Sequence, residues 1–128
     1  MEKQISAGLK TTFLVHAIVG TIVGLAYLLI PTNVGDLLSW PVAEEGPYRL
    51  LGAAILGFAV SSWLAYRETD RERVRIVVQM EIVWTVLATL VMLWGLLLAT
   101  VTFPAVAWVF AVVFALFAIA FAFFYYRD

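Results

Sequence analysis

Four apolar stretches, each about long enough for a helix to cross a bilayer, leave this chain few folds to choose from. They cover residues 9–30, 48–66, 74–99 and 104–126. At 1.5 Å of rise per residue, a helix needs about 20 residues to cross a hydrocarbon core of about 30 Å. Composition points the same way: 64% of the residues are hydrophobic and 13% charged, with a mean hydropathy of +0.99. An average soluble domain is about 45–50% apolar and about 25% charged. A water-soluble fold of this size would leave too much of that surface wet. The expected fold is all-α: one domain, a bundle of four transmembrane helices in antiparallel up-down hairpins.

Charge gives the bundle a direction. The only dense run, Arg67-Glu68-Thr69-Asp70-Arg71-Glu72-Arg73-Val74-Arg75, falls between the second and third stretches. In a four-span layout it shares one side with Lys3, Lys10 and Arg127, and Arg49 alone falls on the other. Basic residues concentrate on the cytoplasmic side of membrane proteins. Both termini and the charged run are therefore expected in the cytoplasm. The acidic 31–47 loop and the 100–103 link then face outward, with Trp40, Trp94 and Trp108 toward the outer interface and Tyr66, Tyr125 and Tyr126 at the inner one.

Punctuation along the chain refines this layout. Glu2, Lys3 and Gln4 make a polar start. The first stretch is too long for a signal-peptide core, and no Ala-x-Ala site follows it. Pro31, Asn33, Gly35, Pro41, Gly46 and Pro47 mark the longest connection, with Val34 to Trp40 expected as one or two turns lying at the interface. Arg49 is placed to reach water or Glu45. Thr69-Asp70-Arg71-Glu72 matches a capping box, with Thr69 as the cap of the third helix. Gly20 and Gly24, then Gly52, Ala53, Gly57, Ser61 and Ser62, mark faces where another helix can approach closely, within the chain or in a homodimer. In the last span Phe110, Phe114, Phe117, Phe121 and Phe124 form one stripe, and Ala111, Ala115, Ala118 and Ala122 a second. The alanines are expected to face the bundle and the phenylalanines lipid or a partner.

Two ionisable residues lie inside the spans: His16 and Glu81. Counted from the cytoplasmic side, each sits roughly 10 Å deep. Ser61 and Ser62 reach a similar level, and Gln79 and Thr85 lie close by on the third span. A carboxylate in hydrocarbon costs several kcal/mol unless paired or protonated, so such groups turn inward. A His16–Glu81 hydrogen bond supported by a serine hydroxyl is the economical arrangement. One reading makes this layer a proton, ion or ligand site. The other has Glu81 reaching the cytoplasmic surface and His16 satisfied as a structural residue.

Other chemistries are excluded or lack their residues. A net charge of −1 gives no basic face for nucleic acid. The absence of cysteine removes disulfides, thiolate metal sites and thiol redox catalysis. One histidine cannot provide bis-histidine haem ligation within a chain. No acidic–histidine cluster has metal-ligand spacing, and no P-loop, Gly-x-Ser-x-Gly or HExxH motif occurs. No catalytic set, metal or cofactor is implied.

Leu28-Leu29-Ile30-Pro31 closes the first span, Trp40 follows in the loop, and Arg49-Leu50-Leu51-Gly52-Ala53-Ala54-Ile55-Leu56-Gly57 opens the second. Trp63-Leu64-Ala65 and Arg67 close it. This order resembles the small DoxX-like four-helix membrane proteins of bacteria and archaea. The resemblance implies a multi-pass protein of the cytoplasmic membrane, in some cases an accessory subunit of a membrane oxidoreductase, and supplies no catalytic residue. The expected function is that of a non-enzymatic subunit or scaffold packing against other membrane chains or copies of itself. A small proton- or ion-linked conducting homo-oligomer built on the His16/Glu81 layer is the alternative. Binding of a lipophilic ligand, quinone or lipid, beside the phenylalanine-rich span is the third reading.

Overall fold

A computed structural model describes residues 3–100 and 102–128; Glu2 of the polar start and Val101 of the 100–103 link lie outside the described residues. The chain is all-helical, in the order α1 (Ala7–Leu29), α2 (Pro31–Leu37), α3 (Glu45–Arg67), α4 (Arg71–Leu97) and α5 (Ala107–Arg127). All but α2 are long and apolar enough to cross a membrane, which is the build of a multi-pass membrane protein in contact with lipid.

The helix ends follow from local chemistry. Ser6 caps α1, its hydroxyl oxygen accepting from the Leu9 N–H at 3.2 Å. Pro31 has no N–H to continue α1 and instead occupies the first turn of α2. The short helix thus runs from Pro31 to Leu37, earlier than the expected 34–40, and Trp40 lies beyond it. Arg49 meets Glu45 at 2.9 Å and also donates to the Leu28 carbonyl at 2.6 Å, satisfying an orphan acceptor at the end of α1.

The cap of α4 is Asp70 rather than Thr69: its carboxylate accepts from the Glu72 N–H at 3.0 Å. The Thr69/Glu72 box is not formed, because the backbone here is committed elsewhere. Residues 3–5 run against 69–71, with the Ile5 N–H donating to the Thr69 carbonyl at 3.2 Å and the Arg71 N–H to the Lys3 carbonyl at 3.0 Å. The second of these bonds satisfies one of the otherwise unpaired N–H groups of the first turn of α4. The Ser6 hydroxyl and the Lys3 ammonium both donate to Asp128, which adds the chain end to the same clasp. Glu68 accepts from the Thr69 and Asp70 N–H groups, and chiefly the first of these holds its carboxyl below the usual range. The link before α5 is also longer than 100–103. Phe103 folds back so that its N–H donates to the Gly95 carbonyl at 2.9 Å, and α5 begins only at Ala107.

The helices pack in two pairs, α1 with α3 and α4 with α5. The first pair touches backbone to backbone. A Cβ on Gly52 would lie 2.5 Å from the Leu28 nitrogen and 2.7 Å from the Gly24 carbonyl oxygen; one on Gly20 would lie 3.0 Å from Ala59 Cβ. Gly57, expected on the same face, is exposed and meets nothing within 4 Å. Five residues beyond Gly52 it is turned about 140° around α3, whereas buried Ala59, Ser62 and Ala65 continue the Gly52 side.

The phenylalanine stripe of α5 faces inward, opposite to expectation. Phe121 is fully buried and its ring centre lies 5.4 Å from that of Phe13. Phe110, Phe114, Phe117 and Phe124 are half-buried, and the Phe124 ring fills the space over Gly8. Ala111 is buried as expected, while Ala115 and Ala118 are only half-buried. The exposed face is instead an aliphatic stripe, Val109, Val112, Leu116 and Ile119, continued by Phe123 and Tyr126. Rings span the gap between the two pairs, which an alanine methyl would leave empty.

Candidate functional site

The two pairs meet most closely toward the clasp. There Ile5, Leu9, Phe13, Ala65, Val74, Val78 and Phe121 form one buried cluster drawn from all four long helices. One layer further in, three polar side chains join three helices. His16 (α1) Nδ1 lies 2.7 Å from Ser62 (α3) Oγ, and Ser62 Oγ lies 2.9 Å from Glu81 (α4) Oε1. His16 Nε2 lies 3.3 Å from Glu81 Oε2, which closes a ring. That last contact is within ion-pair reach, and Oε2 makes no hydrogen bond of its own. Ser62 and Glu81 are 0% exposed and His16 is 6% exposed, so Glu81 turns inward and does not reach the surface. Phe117 and Phe121 of α5 present to the imidazole at 4.8 and 5.6 Å, close to perpendicular.

The other members of the expected layer separate. Thr85 is buried, but its hydroxyl donates to the Glu81 backbone carbonyl at 2.6 Å, within its own helix. Ser61 is half-buried one position around α3 and makes no side-chain hydrogen bond among the described residues. Gln79 is exposed, and its amide donates to the Tyr125 hydroxyl at 2.8 Å. Periodicity explains the split: residues two apart on a helix point about 200° apart, so Gln79 and Glu81 cannot share a face.

Beyond this ring the pairs diverge around a cleft. A cavity of about 440 Å³ is walled by Tyr27 of α1, Tyr48 and Ile55 of α3, Trp84 and Ala88 of α4 and Phe110 of α5. A second cavity of about 210 Å³ shares Ile55, Trp84 and Phe110 with it and has His16 in its wall. At the far end Trp40 packs on Phe103 at 4.9 Å, and Trp94 meets the same ring edge-on at 6.4 Å. The larger space falls within the range of about 300–1,000 Å³ common for small-molecule sites, and it is lined by rings, as such sites are. Tyr27, Tyr48 and Trp84 were not singled out by the sequence reading. Trp84 carried a usable sign: tryptophan in membrane proteins favours the interfaces, and this one lies mid-span.

Serine, histidine and glutamate also make up hydrolytic triads, which need an accessible hydroxyl and donors for an oxyanion. Ser62 is fully buried, engaged on both sides and absent from the walls of both cavities. Its oxygen is presented to no substrate in this arrangement. Among the described residues no three His, Asp or Glu side chains gather where they would hold a metal.

Comparison with known proteins finds no matching family model, no similar curated protein and no similar solved structure.

Proposed function

We propose that this chain is a four-span membrane protein that binds a lipophilic molecule in the cleft between its two hairpins. One observation carries the reading: a ring-lined space opens between two tightly built pairs and runs up to a buried imidazole. An apolar body with a small polar head, a quinone or a lipid, fits that chemistry, its head toward His16. The layout is part of the same proposal, with antiparallel spans, termini and central turn cytoplasmic. Contacts that pair residue 16 with 62, 20 with 59 and 24 with 52 support the antiparallel run. The positive-inside rule supports the orientation, since Lys3, Arg71 and Asp128 are drawn together by hydrogen bonds at the basic end.

Titration of the protein in nanodiscs with decylubiquinone, and separately with a phosphatidylcholine carrying brominated acyl chains, tests this by tryptophan quenching. Saturable quenching is expected with one of the two, and loss of saturation in Ala88→Phe, which fills the larger cavity. Linear, non-saturating quenching by both probes would overturn it.

The subunit or scaffold reading draws support from a different surface. Ala53 and Gly57 are exposed on the outer side of α3, open to the approach of another helix. If that face docks a partner or a second copy, Gly57→Leu dissociates the assembly in mild detergent while leaving the fold intact. The resemblance of residues 28–67 to DoxX-like proteins, and with it a bacterial or archaeal cytoplasmic membrane, belongs to this second reading.

A further inference from the structure

The His16–Ser62–Glu81 ring has three contacts between polar atoms, and each needs one hydrogen. Were any to lack one, two lone pairs would face each other in a buried site. If Ser62 donates to Glu81 Oε1, then His16 must carry its hydrogen on Nδ1 to meet Ser62 Oγ. A neutral imidazole then turns a bare Nε2 toward Glu81 Oε2 at 3.3 Å, and only an extra proton on one of those atoms relieves the clash. With the opposite sense, Ser62 donates to Nδ1, Nε2–H faces Oε2, and Oε1 must be protonated to donate to Ser62. Both senses need three hydrogens. The serine and a neutral imidazole supply two, so the closed ring holds one further proton and has no net charge. Its removal would leave a carboxylate facing a bare nitrogen with a net charge of −1 at a depth where burying charge costs several kcal/mol.

The ring also ties the two hairpins together, because His16 and Ser62 belong to one and Glu81 to the other. We propose that His16, Ser62 and Glu81 form an intramembrane proton-binding site whose single exchangeable proton holds the two hairpins closed, and whose loss to water lets the far ends part. In that step one N–H or O–H bond breaks and the proton passes to solvent, leaving neutral His16 and ionised Glu81. Proton binding and closure are then linked, each favouring the other. Among the described residues nothing else ionisable competes at the site. α1 offers only His16, α3 only Ser62, α4 only Glu81, and α5 faces them with Phe117 and Phe121; Tyr66 and Tyr125 lie about one turn nearer the clasp. This site requires no occupant in the cleft, so it stands or falls apart from ligand binding.

The chain suits a direct test, because it has one histidine and no cysteine. Imidazole labelled with ¹⁵N gives one pair of ring signals, and infrared difference spectra against Glu81→Gln report the carboxyl. At neutral pH the expected result is either protonated Glu81 with neutral imidazole, or ionised Glu81 with both ring nitrogens protonated. Neutral imidazole beside ionised Glu81 in the closed form would overturn the proposal. Spin labels at Leu37→Cys and Leu98→Cys, both highly exposed at the far end, read the separation. Raising the pH is expected to lengthen this distance in the parent protein and leave it unchanged in Glu81→Gln, whose amide supplies the third hydrogen permanently. The same lengthening in both would sink the coupling. Should Glu81→Gln fail to assemble, Ser62→Ala decides the matter: loss of the bridging hydroxyl is expected to shift the midpoint of the distance change about tenfold in proton concentration. An unmoved midpoint overturns the proposal.

Discussion

The two ends of the bundle are built on opposite plans. At the clasp, residues 3–5, 69–71 and 128 are hydrogen-bonded together, and the cluster around Phe13 and Phe121 is closed. At the other end the same four helices line a cleft of about 440 Å³, and contact is left to rings, Trp40 tilted on Phe103 and Tyr27 stacked on Tyr48. All four long helices are apolar, so hydrophobicity alone does not make the difference. In lipid, helices associate through close packing and polar bonds, and those that join the two hairpins are concentrated at one end.

Twin substitutions test first the packing within a hairpin, against which the looser joint between hairpins is to be set. Gly52→Leu drives a side chain into the α1 backbone and is expected to cost about 3 kcal/mol or more in detergent unfolding, whereas Gly57→Leu should stay within about 0.5 kcal/mol. Equal losses would mean that the α1/α3 contact is not where stability resides. Next in size, Phe121→Ala should cost about 3–5 kcal/mol and Phe114→Ala about half that, because Phe114 already borders empty space. Thermal unfolding that ranks the two the other way would reverse the contrast between the ends. Asp70→Ala removes the cap of α4 and is expected to cost about 1 kcal/mol, seen as faster hydrogen exchange in the first turn of that helix. The smallest effect belongs to Glu68. Its carboxyl is held below its ordinary value of 4.5, so its contribution is present above that pH and fades as pH falls through the lowered value. Glu68→Gln should flatten that small acid limb of the stability curve, and an unchanged limb would place its origin elsewhere.

The sequence conveyed some of this and hid the rest for definable reasons. The four long helices were legible because crossing lipid demands a length that no other element shows. His16, Ser62 and Glu81 were legible because depth can be counted from the charged run, and buried polar groups at one depth must find each other. The direction of the phenylalanine stripe was not. Lipid and protein interior are both apolar, so a periodic pattern gives a face without saying which way it looks. Thr69 and Asp70 are neighbouring cap residues, and only the strand pairing with residues 3–5 decides between them. The cleft is a property of how two hairpins diverge, and no single stretch of chain records that.

The pairing of residues 3–5 with 69–71 has a mechanical meaning. The connection from Arg67 to Arg71 is one strap between the hairpins, and the amino-terminal segment lies alongside it as another, so relative movement pivots there. Over a lever of about 30 Å, a tilt of about 10° at the pivot moves the opposite rim by about 5 Å, close to the width of an acyl chain.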